Sequence, residues 1–147
     1  MVLADVKKRR PDIRIHMAGW DVSDWKVPFD YVNHGAMKLE ELSPLYNRCA
    51  AALVMSLTNL SLLPLELLSC GTIPVVNDAP NNRLVADNPN IDYVPLSPGA
   101  LAAELIRIVD ADDQVEASRR AAASVESLSW ADSGRRFVAD FEEAMHA

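Results

Sequence analysis

Ser56-Leu-Thr-Asn-Leu-Ser-Leu-Leu-Pro-Leu-Glu-Leu-Leu-Ser-Cys-Gly-Thr-Ile-Pro-Val-Val-Asn-Asp78 is the stretch on which the reading of this 147-residue chain turns. It reads as a loop, a short helix, a tight turn and a buried strand. The small apolar run before it, Ala50 to Met55, reads as another strand, so Ser56 to Ser61 is the loop at that strand's carboxyl end. Pro64 suits the first turn of a helix, where its missing N–H costs nothing. Gly71 is the natural stop, because it takes a positive φ without strain. The expected helix is Leu62 to Cys70, and Ile73 to Val76 is the next strand. Glu66 stands among Leu62, Leu63, Leu65, Leu67 and Leu68. That setting suggests a buried carboxylate, which is expensive unless it has a partner.

The pattern supplies a partner. In an open α/β sheet, ligands bind outside the carboxyl ends of the strands. The free N–H groups at the start of the Leu62–Cys70 helix would face that crevice and attract phosphate. A carboxylate on the same helix accepts hydrogen bonds from ribose hydroxyls. Thr58, Asn59 and Ser61 add polar side chains nearby. A plain structural role competes with this reading: Glu66 would complement its own helix dipole, and the loop would be an ordinary polar turn.

Outward from this stretch the pattern is one of short strands alternating with helices. Val2 to Arg9 reads as a helix with Val2, Leu3 and Val6 on one face, stopped by Pro11. Ile13 to Ala18 and Tyr31 to Asn33 read as strands. Between them, Trp20 to Phe29 is a loop whose two tryptophans, Trp20 and Trp25, are expected to fold it over the sheet edge. Leu39 to Arg48 is a helix whose regular part starts after Ser43 because of Pro44. Asn77 to Asn82 is a second polar loop at a strand end. Asn81 or Asn82 would cap a short helix, Arg83 to Ala86, and Tyr93 to Pro95 is a last strand. Ser97-Pro98 opens a helix with Leu101, Leu105, Ile108 and Val109 on its buried stripe. Asp113-x-x-Glu116 resembles a capping box and opens a helix carrying Val115, Ala122 and Val125. Ser129-x-x-Asp132 opens the last helix, with Phe137, Val138, Phe141 and Met145 as a core stripe. Such alternation implies α/β architecture, a Rossmann-like parallel sheet flanked by helices.

Composition narrows the function classes. Half the residues are apolar and 24% charged, an ordinary globular balance. A net charge of −7 argues against a nucleic-acid partner. Lys7-Lys8-Arg9-Arg10 is the one basic run; it allows at most a peripheral membrane contact and otherwise favours a helix C-terminus. Cys49 and Cys70 show no disulfide or metal spacing, and His16, His34 and His146 show no ligand spacing. No metal is expected. Neither a signal peptide nor a span of about 20 apolar residues is legible, so the expected location is cytoplasmic.

Several segments together resemble a known family. Ser56-Leu-x-x-x-x-x-Leu-Pro-Leu-Glu66-Leu-Leu-x-Cys-Gly-x-x-Pro-Val-Val resembles the nucleotide-sugar-binding, C-terminal half of retaining glycosyltransferases of the GT-B fold. It looks most like the branch of rhamnosyltransferases that build bacterial cell-surface polysaccharides. Arg10-Pro-Asp-Ile-Arg-Ile-His-Met-Ala-Gly-Trp-Asp-Val, the segment from His34 to Asn47, and Ser129-Trp130 are similar to flanking segments of that branch. The resemblance covers nearly all of residues 1–147, read as one donor-binding domain.

It implies transfer of a sugar, such as rhamnose from dTDP-rhamnose, to a glycan hydroxyl, a hexosyltransferase-type reaction with no further cofactor. In the family two glutamates stand eight positions apart, and the second, which contacts the ribose, falls on Glu66. The first, which contacts the sugar, falls on Thr58, so sugar recognition departs from the general pattern. Asn59 and Ser61 take the place of the usual glycines. The N–H groups of Leu62 and Leu63 would hold the diphosphate, with Arg83 a further phosphate candidate. The resemblance also implies a preceding strand in the middle of the sheet, and an N-terminal domain that binds the glycan acceptor and carries the catalytic residues. In the family the final helix crosses back to brace that domain, so part of the Phe137, Val138, Phe141 and Met145 stripe is expected to be exposed, and the chain alone is expected to be inactive and prone to self-association. Two other functions share this architecture: a nucleotide-sugar epimerase, and a non-catalytic module that binds a nucleotide or a partner.

Overall fold

The computed structural model describes residues 2–146. Five short strands alternate with the first helices: α1 (Val2–Arg9), β1 (His16–Ala18), β2 (Val32–Gly35), α2 (Leu39–Tyr46), β3 (Ala51–Val54), α3 (Leu63–Ser69), β4 (Ile73–Asn77), α4 (Pro80–Val85) and β5 (Asp92–Val94). Three helices follow, α5 (Pro98–Asp110), α6 (Gln114–Ala123) and α7 (Trp130–His146). All strand pairs are parallel. The expected single sheet is in fact two: β1 pairs with β2, and β3–β4–β5 form the second. The Rossmann-like α/β assignment holds, with a break between its two halves.

The core belongs to the three-stranded sheet. All five residues of β4 are buried, as a central parallel strand covered on both faces requires. Val75, Val76, Leu68, Leu101 and Ala102 lie in one apolar cluster with Val6 from α1 and Ala121 from α6. Gly71 ends α3 at φ +76°. A Cβ there would overlap Ser118 Oγ of α6, so the glycine serves both the turn and the close approach of α6. Thr72, fully buried, donates to the Tyr46 and Cys49 carbonyls at 2.6 and 3.0 Å. That bond ties the start of β4 to the end of α2.

Several local expectations are corrected. Pro44 lies inside α2 rather than before it; the Lys38 N–H donates to Glu41 Oε2 at 2.8 Å and starts the helix earlier. α4 starts at Pro80, with Ala79 as its cap, so Asn81 and Asn82 are helical residues and not caps. Asp113 caps α6 without a side-chain bond; its carboxylate meets Arg120 instead, at 3.1 Å, and Val115 is exposed. Trp20 and Trp25 do not fold their loop down: they are 76% and 58% exposed, and buried Val22 is the anchor, with the Tyr31 hydroxyl donating to its carbonyl at 2.9 Å. The α7 stripe is not core, since no residue of that helix is buried. The accessible surface, 9740 Å², exceeds the roughly 7500 Å² of a compact monomer of this size, and the bare final helix contributes to the excess.

Candidate functional site

The site is built where β3 and β4 end. The loop after β3, residues 56–61, and the segment after β4 are held together by a network of amides. Asn77, the last residue of β4, is 1% exposed. Its Oδ1 accepts from the Ser56 N–H and its Nδ2 donates to the Ser56 carbonyl, both at 2.8 Å. The side chain thus copies a strand partner and extends the β3–β4 ladder past Val54. Asn82, fully buried on α4, donates to the Asn77 carbonyl at 2.8 Å and to the Ser56 carbonyl at 3.3 Å. Asn81 donates to the Thr58 carbonyl at 3.2 Å. The two loops therefore lie on one edge of one parallel sheet, as expected for strands that end together. Among the described residues, no buried side-chain polar atom is left without a partner.

Within the loop, the residues singled out from the sequence are exposed: Thr58, Asn59, Ser61 and Leu62 all face solvent. Asn59 Oδ1 accepts from the Ser61 N–H at 3.0 Å, an Asx-type turn. Ser61 takes φ +52°, a left-handed conformation that favours glycine. Leu60, 2% exposed, is the apolar pin that holds the loop to the core. Leu62 caps α3 and Pro64 lies in its first turn. Pro64 has no N–H, and Leu65 and Glu66 donate to the Leu62 carbonyl. Of the two N–H groups before Pro64, that of Leu63 donates to Ser61 Oγ at 3.5 Å and that of Leu62 makes no hydrogen bond among the described residues.

Glu66 is exposed, not buried. The five leucines around it are split by the helix: Leu67 and Leu68 face the core, and Glu66 faces away from it. Being exposed, the carboxylate calls for no protein partner, and its interest rests on position alone. It lies near Tyr46, whose phenol is raised above its ordinary value by burial first and then by the charge of Glu66. Arg83 is engaged already. It makes a two-pronged pair with Asp78 at 2.7 and 3.1 Å and lies 4.5 Å over the Tyr93 ring. Hydrogen bonding from Arg83 holds the Asp78 carboxyl below the usual range.

Sequence reasoning missed the amide network. Its signal was present in the cluster Asn77, Asn81 and Asn82 after an apolar strand, read as caps and loop rather than as ladder extensions. A second missed pair is His16 and His34, on paired strands, with Nδ1 and Nε2 2.9 Å apart and rings stacked. Among the described residues no three His, Cys, Asp or Glu side chains gather as a metal site. No helix there is long and apolar enough to cross a membrane.

Comparison with known proteins adds the family. The chain is similar to the O-antigen biosynthesis protein RfbC of Myxococcus xanthus, 32% identical over 108 residues. That is 70% of this chain but 8% of RfbC, so the chain spans less than a tenth of the length of this relative. The profile described as "WsaF, C-terminal domain" matches residues 1–106, which hold all five strands and the amide-tied loops. The chain belongs to the WsaF C-terminal domain family, a glycosyltransferase-associated family.

Proposed function

We propose that the chain is the donor-binding domain of a GT-B glycosyltransferase of polysaccharide assembly, which transfers a sugar, rhamnose in the narrowest form of the reading, from a nucleotide diphosphate to a glycan hydroxyl. Family membership and the relation to an O-antigen biosynthesis protein support the coarser part, a glycosyltransferase-related role in making polysaccharide. The observation that carries the finer part is the pair of amide-tied loops at the carboxyl edge of a parallel sheet, next to the start of α3. This is the ligand side of an open α/β sheet.

The roles follow from position. The diphosphate sits against the N–H groups of Leu62 and Leu63, with no competing proline N–H beside them. These donors stabilise the negative charge that grows on the leaving diphosphate as the glycosidic bond breaks. Glu66, exposed on α3, accepts from a ribose hydroxyl. Thr58, Asn59 and Ser61 border the sugar end, and the left-handed Ser61 stands where the resemblance expects glycine. Arg83 is held by Asp78 and Tyr93 and plays no part in phosphate binding. The acceptor and the groups that activate it belong to a second domain. The exposed stripe of α7 supports that reading, because a helix that braces another domain keeps its apolar face outside its own core. A nucleotide donor carries a cytoplasmic setting with it. The epimerase reading needs acid and base groups at the sugar, and the loop offers neutral side chains.

The test is hydrogen exchange on the full-length polypeptide with dTDP and with UDP. Binding at the proposed place slows the Leu62 and Leu63 amides. A nucleotide that binds and leaves both amides unchanged refutes the placement.

A further inference from the structure

Two tryptophans stand out from the loop that joins β1 to β2. Trp20 is 76% exposed and Trp25 58%. An indole is a large apolar surface that water penalises. Among the described residues neither indole stacks on another ring or lies beneath a cation. Single exposed apolar side chains are ordinary, but two of the largest on one firmly held loop call for a reason. The loop is braced from within. The Gly19 N–H donates to the Gly35 carbonyl at 2.8 Å, where the chain leaves β1. Val22 is buried beneath the loop, and the Trp25 N–H donates to its carbonyl at 2.9 Å. Asp21 Oδ1 accepts from the Ser23 N–H and hydroxyl, and from Asn33 Nδ2 on β2 at 2.9 Å. The backbone that carries the indoles is thus fixed while the indoles stand in solvent. A surface ordered in advance loses little freedom when a ligand lands on it.

The charge of the loop selects the ligand. Asp21, Asp24 and Asp30 outnumber Lys26 in it. Hydrogen bonds from Ser23 chiefly, and from Asn33, hold the Asp21 carboxyl below its usual range, so it is ionised at neutral pH. An acidic rim of this kind repels phosphate, and with it free nucleotides, nucleic acid and anionic lipid surfaces. The face of an indole is electron-rich. It attracts the polarised C–H groups on one side of a pyranose ring, and carboxylates beside it accept from the ring's hydroxyls. A neutral saccharide meets both conditions, and a chain of them can lay one ring on each indole.

We propose that Trp20 and Trp25 form a stacking platform for a neutral glycan chain, carried by the β1–β2 loop and not by the loops that follow β3 and β4. Membership of a glycosyltransferase-associated family places such a ligand within the chemistry of this chain. The inference does not depend on the donor-binding reading, since it uses neither α3 nor Glu66.

The chain has three tryptophans, so a nitrogen–proton correlation spectrum carries three indole signals, with Trp130 of α7 as the internal control. Trp20→Phe and Trp25→Phe assign the other two. A rhamnose hexasaccharide and maltohexaose are each titrated to about 10 mM, well above the dissociation constant of a weak stacked contact. At least one of them should shift the Trp20 and Trp25 signals together and saturably, and leave Trp130 in place. Trp25→Ala should weaken that binding by about three- to tenfold, the range of one aromatic contact, and Trp25→Phe, which keeps a ring, should weaken it less. The Val75 amide signal, unchanged in both variants, shows that the core is intact. No shift at Trp20 and Trp25 with either saccharide, an equal shift at Trp130, or unchanged affinity in Trp25→Ala overturns the proposal. Shifts of the same two indoles by dTDP overturn it as well, because the platform would then belong to a base. Indole shifts that follow protein concentration without sugar assign the pair to a second copy of the chain, and overturn it too.

Discussion

Removing the Asn77 side chain is the perturbation that the structure lets us work through most fully. Asn77→Ala deletes two hydrogen bonds of 2.8 Å to one residue, Ser56. The Ser56 carbonyl keeps Asn82 at 3.3 Å, so that loss is a partial one, about 1 kcal/mol. The Ser56 N–H loses its partner in a half-buried place, which costs about 1–3 kcal/mol. Together the expected loss is about 2–4 kcal/mol, a large share of a typical domain stability of about 5–15. Urea unfolding should show a lower midpoint with an unchanged slope. Asn77→Asp separates the two bonds. The introduced carboxylate still accepts from the Ser56 N–H but repels the Ser56 carbonyl, and protonation restores a donor. Its folded pKa therefore lies above the unfolded value near 4, so the folded state binds more protons. The variant's deficit should be largest at pH 7, shrink as pH falls through the folded pKa, and level off below the unfolded value near 4. A loss under about 0.5 kcal/mol for Asn77→Ala, or a pH-independent deficit for Asn77→Asp, would refute the account of how the loops are joined.

Two further predictions concern other parts of the frame. Gly71→Ala forces a side chain into φ +76° and against Ser118 Oγ; it should cost about 2–4 kcal/mol. Adding Ser118→Ala should recover only part of that, and full recovery in thermal unfolding would mean that the backbone conformation is free. At His16, burial chiefly, and then the nearby positive charges of His34, Arg48 and Arg14, hold the imidazole below its ordinary value. The folded state binds fewer protons than the unfolded one there, so stability should be full above pH about 6.5 and fall as pH drops through the folded pKa. His16→Asn should flatten that slope between pH 7 and 5 in urea titrations; an unchanged slope would assign it to other groups.

What the sequence made legible follows the local rules that dominate. Pro64 and Gly71 punctuate α3, and the uninterrupted run from Ile73 to Val76 marks a strand covered on both faces. Backbone chemistry alone decides these. The misread elements are those where tertiary partners choose among equal local options. Asn81 and Asn82 have the chemistry of caps, but the Ser56 and Thr58 carbonyls recruit their amides into the sheet edge. Asp113 has a capping geometry available, and Arg120 takes its carboxylate instead. Trp20 and Trp25 carry the apolar area to pin a loop, yet smaller Val22 fits the space beneath it. Glu66 shows the limit most plainly. Its leucine neighbours in sequence suggested burial, but a helix sends adjacent residues to different faces, and the carboxylate ends in solvent. For the loop, the sequence located the residues and not the amides that hold them in place.

The donor-binding reading rests on Glu66 more than on any other side chain. The decisive measurement is calorimetric titration of dTDP and UDP into the full-length polypeptide, wild type and Glu66→Gln. Deoxyribose offers one hydroxyl to the carboxylate and ribose two. For an exposed acid, one charge-assisted bond corresponds to about a tenfold change in Kd. The account predicts about tenfold weaker dTDP binding in Glu66→Gln, and a greater loss for UDP if it binds. Equal affinities of wild type and variant for both nucleotides would contradict it, and would leave Glu66 as a surface acid on α3.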